Sequence, residues 1–316
     1  MSIDLCVEPR KVYTWDEFRL EKPSFSIALD GIVNGPTMRE HFGPYANFDH
    51  HAGVDRTSTR STSEQVYMEI NLDLFDQFRK NGIPHANVFV NDPDEDTCLA
   101  WWLLKNHEEV SDHANPKINR LVSCEDKLDC TAGAYPFGDI KMRRQMAWIF
   151  QPYTQARFEE KLGDMGVAEM TNLIESVEKR ISEHIFGTGG EIALEGNYEK
   201  IGGGKNWTFV KETGSVARMA MYNDGIKAFI SFLSEKDGGF FVYSVGRKSG
   251  WVKDFPIPRL YDRYNYEEKK LGAEITQNNR WNGGDTTGGS PKKTGSKIPP
   301  EILEEITNDE LEKLGV

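Results

Sequence analysis

Cysteine is scarce in this chain, and nothing in its spacing suggests a staple. Cys6, Cys98, Cys124 and Cys130 form no C-x-x-C pair and are too sparse for a disulfide framework. That argues against a disulfide-built secreted scaffold and makes a reducing cytoplasm the expected home. Long apolar runs are missing too. No stretch of about 18 apolar residues occurs, so no membrane-spanning helix is expected. The start, MSIDLCVEPRKVYTW, puts no long apolar core behind a basic segment, which speaks against a secretory signal. Positive charge is in deficit: 38 Lys and Arg stand against 50 Asp and Glu, a net charge of −12. A broad grip on duplex phosphates needs a basic face, so extended duplex binding is not expected. No internal repeat is present.

What is present suits two modest domains, taking roughly 100–200 residues for each. Hydrophobic residues make up 38% of the chain and aromatics 11%, enough for a sizeable core. The acid surplus also fits a carboxylate-rich site whose charge a bound metal would neutralise. The N-terminal half alternates short apolar runs with helical patterns, as an α/β unit should. Phe25–Asp30 reads as a strand ending on a carboxylate. Val66, Ile70, Leu74 and Phe78 recur at helical spacing, with Gly82 as a stop. Residues 86–91 predict a second strand, running into an acidic loop and then an apolar helix from Leu99. Residues 118–123 read as a third strand, again followed by acids. Residues 140–186 read as helical, a connector or lid, with Met170, Leu173, Ile174, Val177, Ile181 and Ile185 in one core-facing stripe. From about 187 the composition shifts to glycine, aromatics and β-branched residues. Strands are expected at 207–212, 216–222, 226–233 and 240–245, and a short acidic helix at 301–314.

Three segments carry candidate chemistry. Asp49-His50-His51 can offer one imidazole to a metal and the other to a substrate oxyanion, while the carboxylate holds a ring N–H and sets its tautomer. A surface loop with two incidental histidines is the plain alternative. Asn91-Asp92-Pro93-Asp94-Glu95-Asp96 packs four carboxylates into five residues, which repel unless cations sit among them. A solvated acidic loop is the default for such a run. Its place after a strand favours a ligand, because open α/β sheets gather ligands at the carboxyl ends of strands. Glu125-Asp126 and Asp129 repeat the theme. Hard oxygen donors with one or two imidazoles suit Mn²⁺ or Mg²⁺ better than structural zinc.

Asp30 followed by Asp49-His50-His51 resembles the strand-end aspartate and the name motif of the DHH phosphoesterases. Ser61-Thr62-Ser63-Glu64-Gln65-Val66-Tyr67 is similar to the Ser/Thr-rich helix start that follows in that family. Val90-Asn91-Asp92-Pro93-Asp94-Glu95-Asp96 resembles its His-x-x-Pro-Asp-x-Asp motif, and Asp126 stands where its last aspartate is expected, with Asp129 the rival. More weakly, 205–296 resembles the associated DHHA1 substrate-binding domain. Asn282-Gly283-Gly284-Asp285-Thr286-Thr287-Gly288-Gly289-Ser290 has the rhythm of its glycine-rich segment, and Arg247 resembles the arginine such domains offer to a phosphate. The chain departs from the family pattern in motif order, in Val90 where a histidine leads, and in Asp285 where another histidine is usual. A circular permutation of one strand–helix unit would preserve the site.

The resemblance implies a mostly parallel Rossmann-like α/β sheet flanked by helices over 1–186, a smaller α+β domain over 187–300 and a C-terminal helix over 301–316. It implies one or two Mn²⁺ or Mg²⁺ ions, with Asp30 bridging, Asp94 on one ion and Asp96, His50 and Asp126 on the other. His51, Arg247 and residues Gly283, Gly284, Asp285, Gly288 and Gly289 would bind the substrate, the second domain closing over it. The expected reaction is hydrolysis of a phosphodiester or phosphoanhydride in a nucleotide or short single-stranded oligonucleotide. The rival expectations are a non-catalytic nucleotide-binding sensor that keeps the fold, and an assembly protein whose acidic loops only keep it dissolved. The glycines have a plain reading as well, since they permit tight turns.

Overall fold

The computed structural model describes residues 2–111, 114–214, 216–277 and 279–316. The fold is mixed α/β, and its described residues form two sheets. The chain divides into two compact units, Met1–Cys130 with Phe137–Ala193, and Thr131–Pro136 with Leu194–Val316.

The first unit opens with β1 (Ser2–Val7), α1 (Trp15–Glu21), β2 (Ser26–Leu29), β3 (Met38–Glu40) and β4 (Tyr45–Phe48). It continues through α2 (Thr62–Asn71), α3 (Leu74–Gln77), β5 (Arg79–Lys80), β6 (Ile83–Val90) and α4 (Glu95–Lys105). Then come α5 (His107–Val110), α6 (Pro116–Cys130), α7 (Ile140–Ile149), α8 (Gln151–Phe158) and α9 (Val167–Phe186). The strand order is β1-β6-β2-β4-β3, with β5 beside β6. The pairings β1–β6, β2–β6 and β2–β4 are parallel, while β3–β4 and β5–β6 are antiparallel. Because β2, β4 and β6 run the same way in register (Leu29 opposite Phe48, Ala28 opposite Phe89), the segments leaving their carboxyl ends emerge side by side. Those segments begin with Asp30, Asp49 and Asn91.

Local sequence explains the elements. Residues 26–29 are buried at every position, as a strand covered on both faces requires. Thr14 and Glu17 close a reciprocal capping box at the start of α1. In α4, every residue from Asp96 to Leu104 is buried, so it is a core helix. Its indoles still find acceptors on α9: Trp101 Nε1 donates to Glu178 and Trp102 Nε1 to Ser182. The predicted stripe from Met170 to Ile185 is buried throughout.

Three expectations are corrected. Residues 118–123 are helical, lying within α6. Ile118, Leu121, Val122 and Glu125 are buried and Asn119 and Arg120 exposed, a pattern at i, i+3, i+4 and i+7 that only a helix satisfies. Residues 216–222 are likewise helical. Their Ala, Met and Arg content favours that state, and Ala217 and Met221 share one buried face. The 66–78 stripe is buried as expected but spans two helices, broken at Leu72 and Asp73, where Asp73 turns left-handed with φ 66°.

The second unit holds β7 (Tyr198–Gly204), β8 (Trp207–Glu212), α10 (Ala217–Asn223), β9 (Ala228–Lys236) and β10 (Phe240–Arg247). It ends with α11 (Ile257–Lys270), β11 (Asn282–Gly283), β12 (Thr287–Gly289) and α12 (Pro300–Lys313). Its sheet order is β11-β12-β10-β9-β8-β7, with β8–β9 parallel and the remaining pairs antiparallel. An aromatic core fills it: Trp281 stacks on Tyr243 with centroids 5.7 Å apart and packs against Tyr264 at 4.7 Å. Among the described residues, no helix is long and apolar enough to cross a membrane.

Candidate metal centre

The three loops leaving β2, β4 and β6 meet at one buried cluster, joined by the last turn of α6. Asp30 follows β2 in a left-handed conformation (φ 49°), a strained backbone for a non-glycine residue. Its carboxylate accepts from the Thr62 hydroxyl at 2.9 Å and the Thr97 hydroxyl at 3.4 Å, and hydrogen-bonds the side chain of Asp94. Oδ1 lies 3.6 Å from His50 Nε2 and 3.3 Å from His51 Nδ1.

His50 is fully buried at the end of β4, and Nε2 approaches three carboxylates: Asp129 at 2.8 Å, Asp30 at 3.6 Å and Asp96 at 3.7 Å. Its Nδ1 is 3.9 Å from Cys130 Sγ. Asp96 is gripped by the start of α2, accepting from the Thr62 and Ser63 backbone N–H groups at 2.6 and 2.8 Å. Those donors have no partner inside their own helix, and the helix dipole favours an anion there. Asp94 caps α4 through the Thr97 N–H. Asp49 Oδ1 accepts from the His51 backbone N–H at 2.9 Å and lies 3.0 Å from His51 Nδ1, so it sets the imidazole's orientation. The His51 side chain is 37% exposed, unlike its neighbour.

Electrostatics follow from crowding. Burial raises the Asp30 carboxyl, but the His51 and His50 imidazoles beside it overcome that and hold it below the ordinary range. Asp129 behaves alike, with Arg56 and His50 outweighing burial. Burial, aided by Asp129 and Asp30, pushes Asp96 up to about 7. Asp94 is likewise raised well above its ordinary value, by burial first and then by Asp30 and Asp92. Burial lowers both histidines, yet the facing carboxylates lift each above its usual value, Asp129 foremost for His50 and Asp30 for His51.

Two ligand sets result, Asp30 with His50 and His51, and His50 with Asp96 and Asp129, each with donor atoms within 4.8 Å of one another. One detail bears on whether an ion fits. His50 Nε2 and Asp129 Oδ2 are buried 2.8 Å apart in an ion-pair contact, and neither atom makes an aligned hydrogen bond. Adjacent ligands of an octahedral ion at about 2.1 Å stand roughly 3 Å apart, so the pair has the spacing of two ligands aimed at a common point. The donor set of carboxylates and one or two imidazoles suits Mn²⁺ or Mg²⁺.

Asp30, His50, His51, Asp94 and Asp96 therefore come together. Asp126 does not join them. Its oxygens accept from the Arg60 guanidinium at 3.0 Å and the Ser61 N–H at 2.9 Å, whereas Asp129, one helical turn on, faces His50 Nε2 at 2.8 Å. Val90 is fully buried within β6 and supplies no ligand atom. Sequence reasoning missed Arg56, whose Nη2 donates to Asp129 Oδ1 at 2.8 Å, and the Thr62, Ser63 and Thr97 donors. The Ser/Thr-rich helix start was the available signal for the donors, and nothing set Arg56 apart within a polar loop.

In the second unit, Gly283, Gly284, Asp285, Gly288 and Gly289 form the β11–β12 hairpin and its turn. A Cβ on Gly288 would overlap the Tyr261 hydroxyl, and Gly283 has φ 153° against Gly288, so close packing accounts for these glycines. Arg247 is buried and committed locally. Nε donates to the Asp285 carbonyl at 2.6 Å, Nη1 to the Val252 carbonyl at 3.0 Å and Nη2 to the Asp285 carboxylate at 3.1 Å. Asp285 thus serves as a partner of Arg247, which leaves the guanidinium one N–H on each terminal nitrogen for anything else. No protein-family model, no curated protein and no solved structure matches this chain.

Proposed function

We propose that this chain is a divalent-metal-dependent phosphoesterase of the DHH kind, hydrolysing a phosphodiester or phosphoanhydride in a nucleotide or short oligonucleotide. The observation that carries the reading is the convergence of Asp30, Asp96 and Asp129, from three separate segments, on His50 Nε2, an atom that like Asp129 Oδ2 is buried without an aligned hydrogen bond. The parallel run β1-β6-β2-β4, with its acidic carboxyl ends, supports the Rossmann-like arrangement that goes with it. Asp30, Asp96, Asp129 and His50 would hold the ion or ions, with Asp94 beside Asp30. A bound divalent cation supplies Lewis acidity toward a phosphoryl oxygen and toward water.

The remaining residues have roles of their own. Asp49 fixes the His51 ring through Nδ1 and leaves Nε2 as the nitrogen open to a substrate. Against the effect of burial, Asp30 and Asp49 lift the imidazole above its usual value, which favours the charged form suited to a phosphoryl oxygen. Thr62 and Ser63 lock Asp96 so that little reorganisation accompanies binding. The second unit is the proposed substrate-binding module, and the four free cysteines of the chain, all in the first unit, fit its proposed cytoplasmic residence.

The test is Mn²⁺-stimulated cleavage of an aryl phosphodiester and of dinucleotides, with Asp30→Asn and His50→Ala as controls. Wild-type turnover no faster than both controls would end the proposal. Val90 and the Arg247–Asp285 pair favour one alternative, a nucleotide-binding sensor that keeps the fold without turnover. Calorimetry that finds tight nucleotide binding and no product would establish it.

A further inference from the structure

A guanidinium is built into the cluster. Arg56 lies between β4 and α2, its side chain only 10% exposed. A guanidinium presents parallel N–H groups as a fork that matches a carboxylate or a phosphoryl group. Here the fork is half used: Nη2 donates to Asp129 Oδ1, while Nε is buried and meets no acceptor. A bidentate ion pair would fill both prongs with the two oxygens of Asp129. Instead Asp129 divides them, giving Oδ1 to Arg56 and placing Oδ2 2.8 Å from His50 Nε2. The spare donor therefore belongs to a residue one carboxylate away from the ligand atoms, and its charge also acts on Asp30.

We propose that Arg56 contacts the substrate, its Nη2 holding Asp129 while Nε–H donates to a non-bridging oxygen of the phosphoryl group. This rests on the phosphoesterase reading and adds to it a phosphate-binding cation in the first unit, in the loop after Asp-His-His. A buried guanidinium held by one carboxylate and left with an unfilled donor is preorganised for an oxyanion. The field of Arg56 also fixes which Asp129 oxygen faces His50, so its loss is felt in two separable ways.

Calorimetry on the full chain separates them, with Mn²⁺ and then inorganic phosphate as probes, for wild type, Arg56→Ala and Arg56→Lys. Lysine keeps a charge beside Asp129 but has no fork, so it carries the test if the alanine variant does not fold. The expected result is phosphate affinity for the Mn²⁺-loaded protein reduced roughly 10–100-fold in both variants, as befits a charge-assisted hydrogen bond. Mn²⁺ affinity should change by less than about threefold, and added guanidinium should restore phosphate binding to Arg56→Ala. Undiminished phosphate affinity in Arg56→Lys, or no phosphate binding by the loaded wild type, overturns the assignment. Wild-type cleavage of the aryl diester beside such an unaffected Arg56→Lys would overturn Arg56 alone and leave the phosphoesterase reading intact. Phosphate binding through Arg56 with no turnover by wild type would uphold the assignment and overturn that reading.

Discussion

Asp126 and Asp129 sit three residues apart on α6 and face different partners. Asp126 accepts from Arg60 and the Ser61 N–H, while Asp129 shares its oxygens between Arg56 and the His50 side of the cluster. Asp129→Asn should therefore weaken Mn²⁺ binding by at least about 100-fold. Asp126→Asn, which acts at one remove through Arg60, the start of α2 and the Cys130 thiol, should weaken it by less than about tenfold. Titration calorimetry distinguishes the two, and equal losses would remove Asp129 from the ligand set. Much of the site was legible at this scale. The Asp-His-His and Pro-Asp-x-Asp motifs carry their chemistry within a few residues, and strand ends are where such residues gather. The choice between two aspartates on one helix was not legible, because it depends on which way each side chain faces.

Elements were harder to read than motifs where β-branched residues mimic strands. The run Ile-Asn-Arg-Leu-Val-Ser at 118–123 mixes both signals, and its helical period becomes decisive only when extended to Glu125 and Asp126. Ser123→Pro, in the middle of α6, should cost about 3 kcal/mol or more and disturb Asp126 and Asp129 together. Far-UV circular dichroism, urea unfolding and Mn²⁺ titration would show it, and an unaltered variant would contradict the helix. In the second unit, Gly288→Ala should destabilise by roughly 1–3 kcal/mol, since its Cβ would overlap the Tyr261 hydroxyl. Tyr261→Phe should recover part of that loss in the double variant. If it recovers none, the contact is not what constrains Gly288.

Over the whole molecule the acid surplus concentrates where it is hardest to tolerate, and pH should reveal this. Asp96, ordinary value 3.8, is pushed up to about 7 by burial and by Asp129 and Asp30. Glu95, ordinary value 4.5, is also pushed up to about 7, by burial chiefly and against the pull of Arg157. In each case the folded chain keeps a proton that the unfolded chain has released, a contribution whole below about pH 4 and lost as pH rises through 7. Asp30 and Asp129, held low, contribute above about pH 4 and lose that contribution on acidification. The metal-free protein should therefore melt at a lower temperature at pH 8 than at pH 6. A fixed Mn²⁺ concentration 100 times the Kd at pH 8 should raise Tm by roughly 5–10 °C there and by less at pH 6, where protons compete for the ligands and Kd is larger. Thermal melts with and without metal test this, and a flat profile would mean the acids do not share one site. What the sequence alone determined was the set of ligand-bearing segments, because strand runs, turn signals and short motifs are local. Only the tertiary structure decided that Asp129 rather than Asp126 faces His50, that Arg56 enters the cluster and that Arg247 turns to Asp285. Those outcomes depend on contacts across long stretches of chain, 73 residues from Arg56 to Asp129 and 34 from Thr62 to Asp96, which strand register and helix packing bring about.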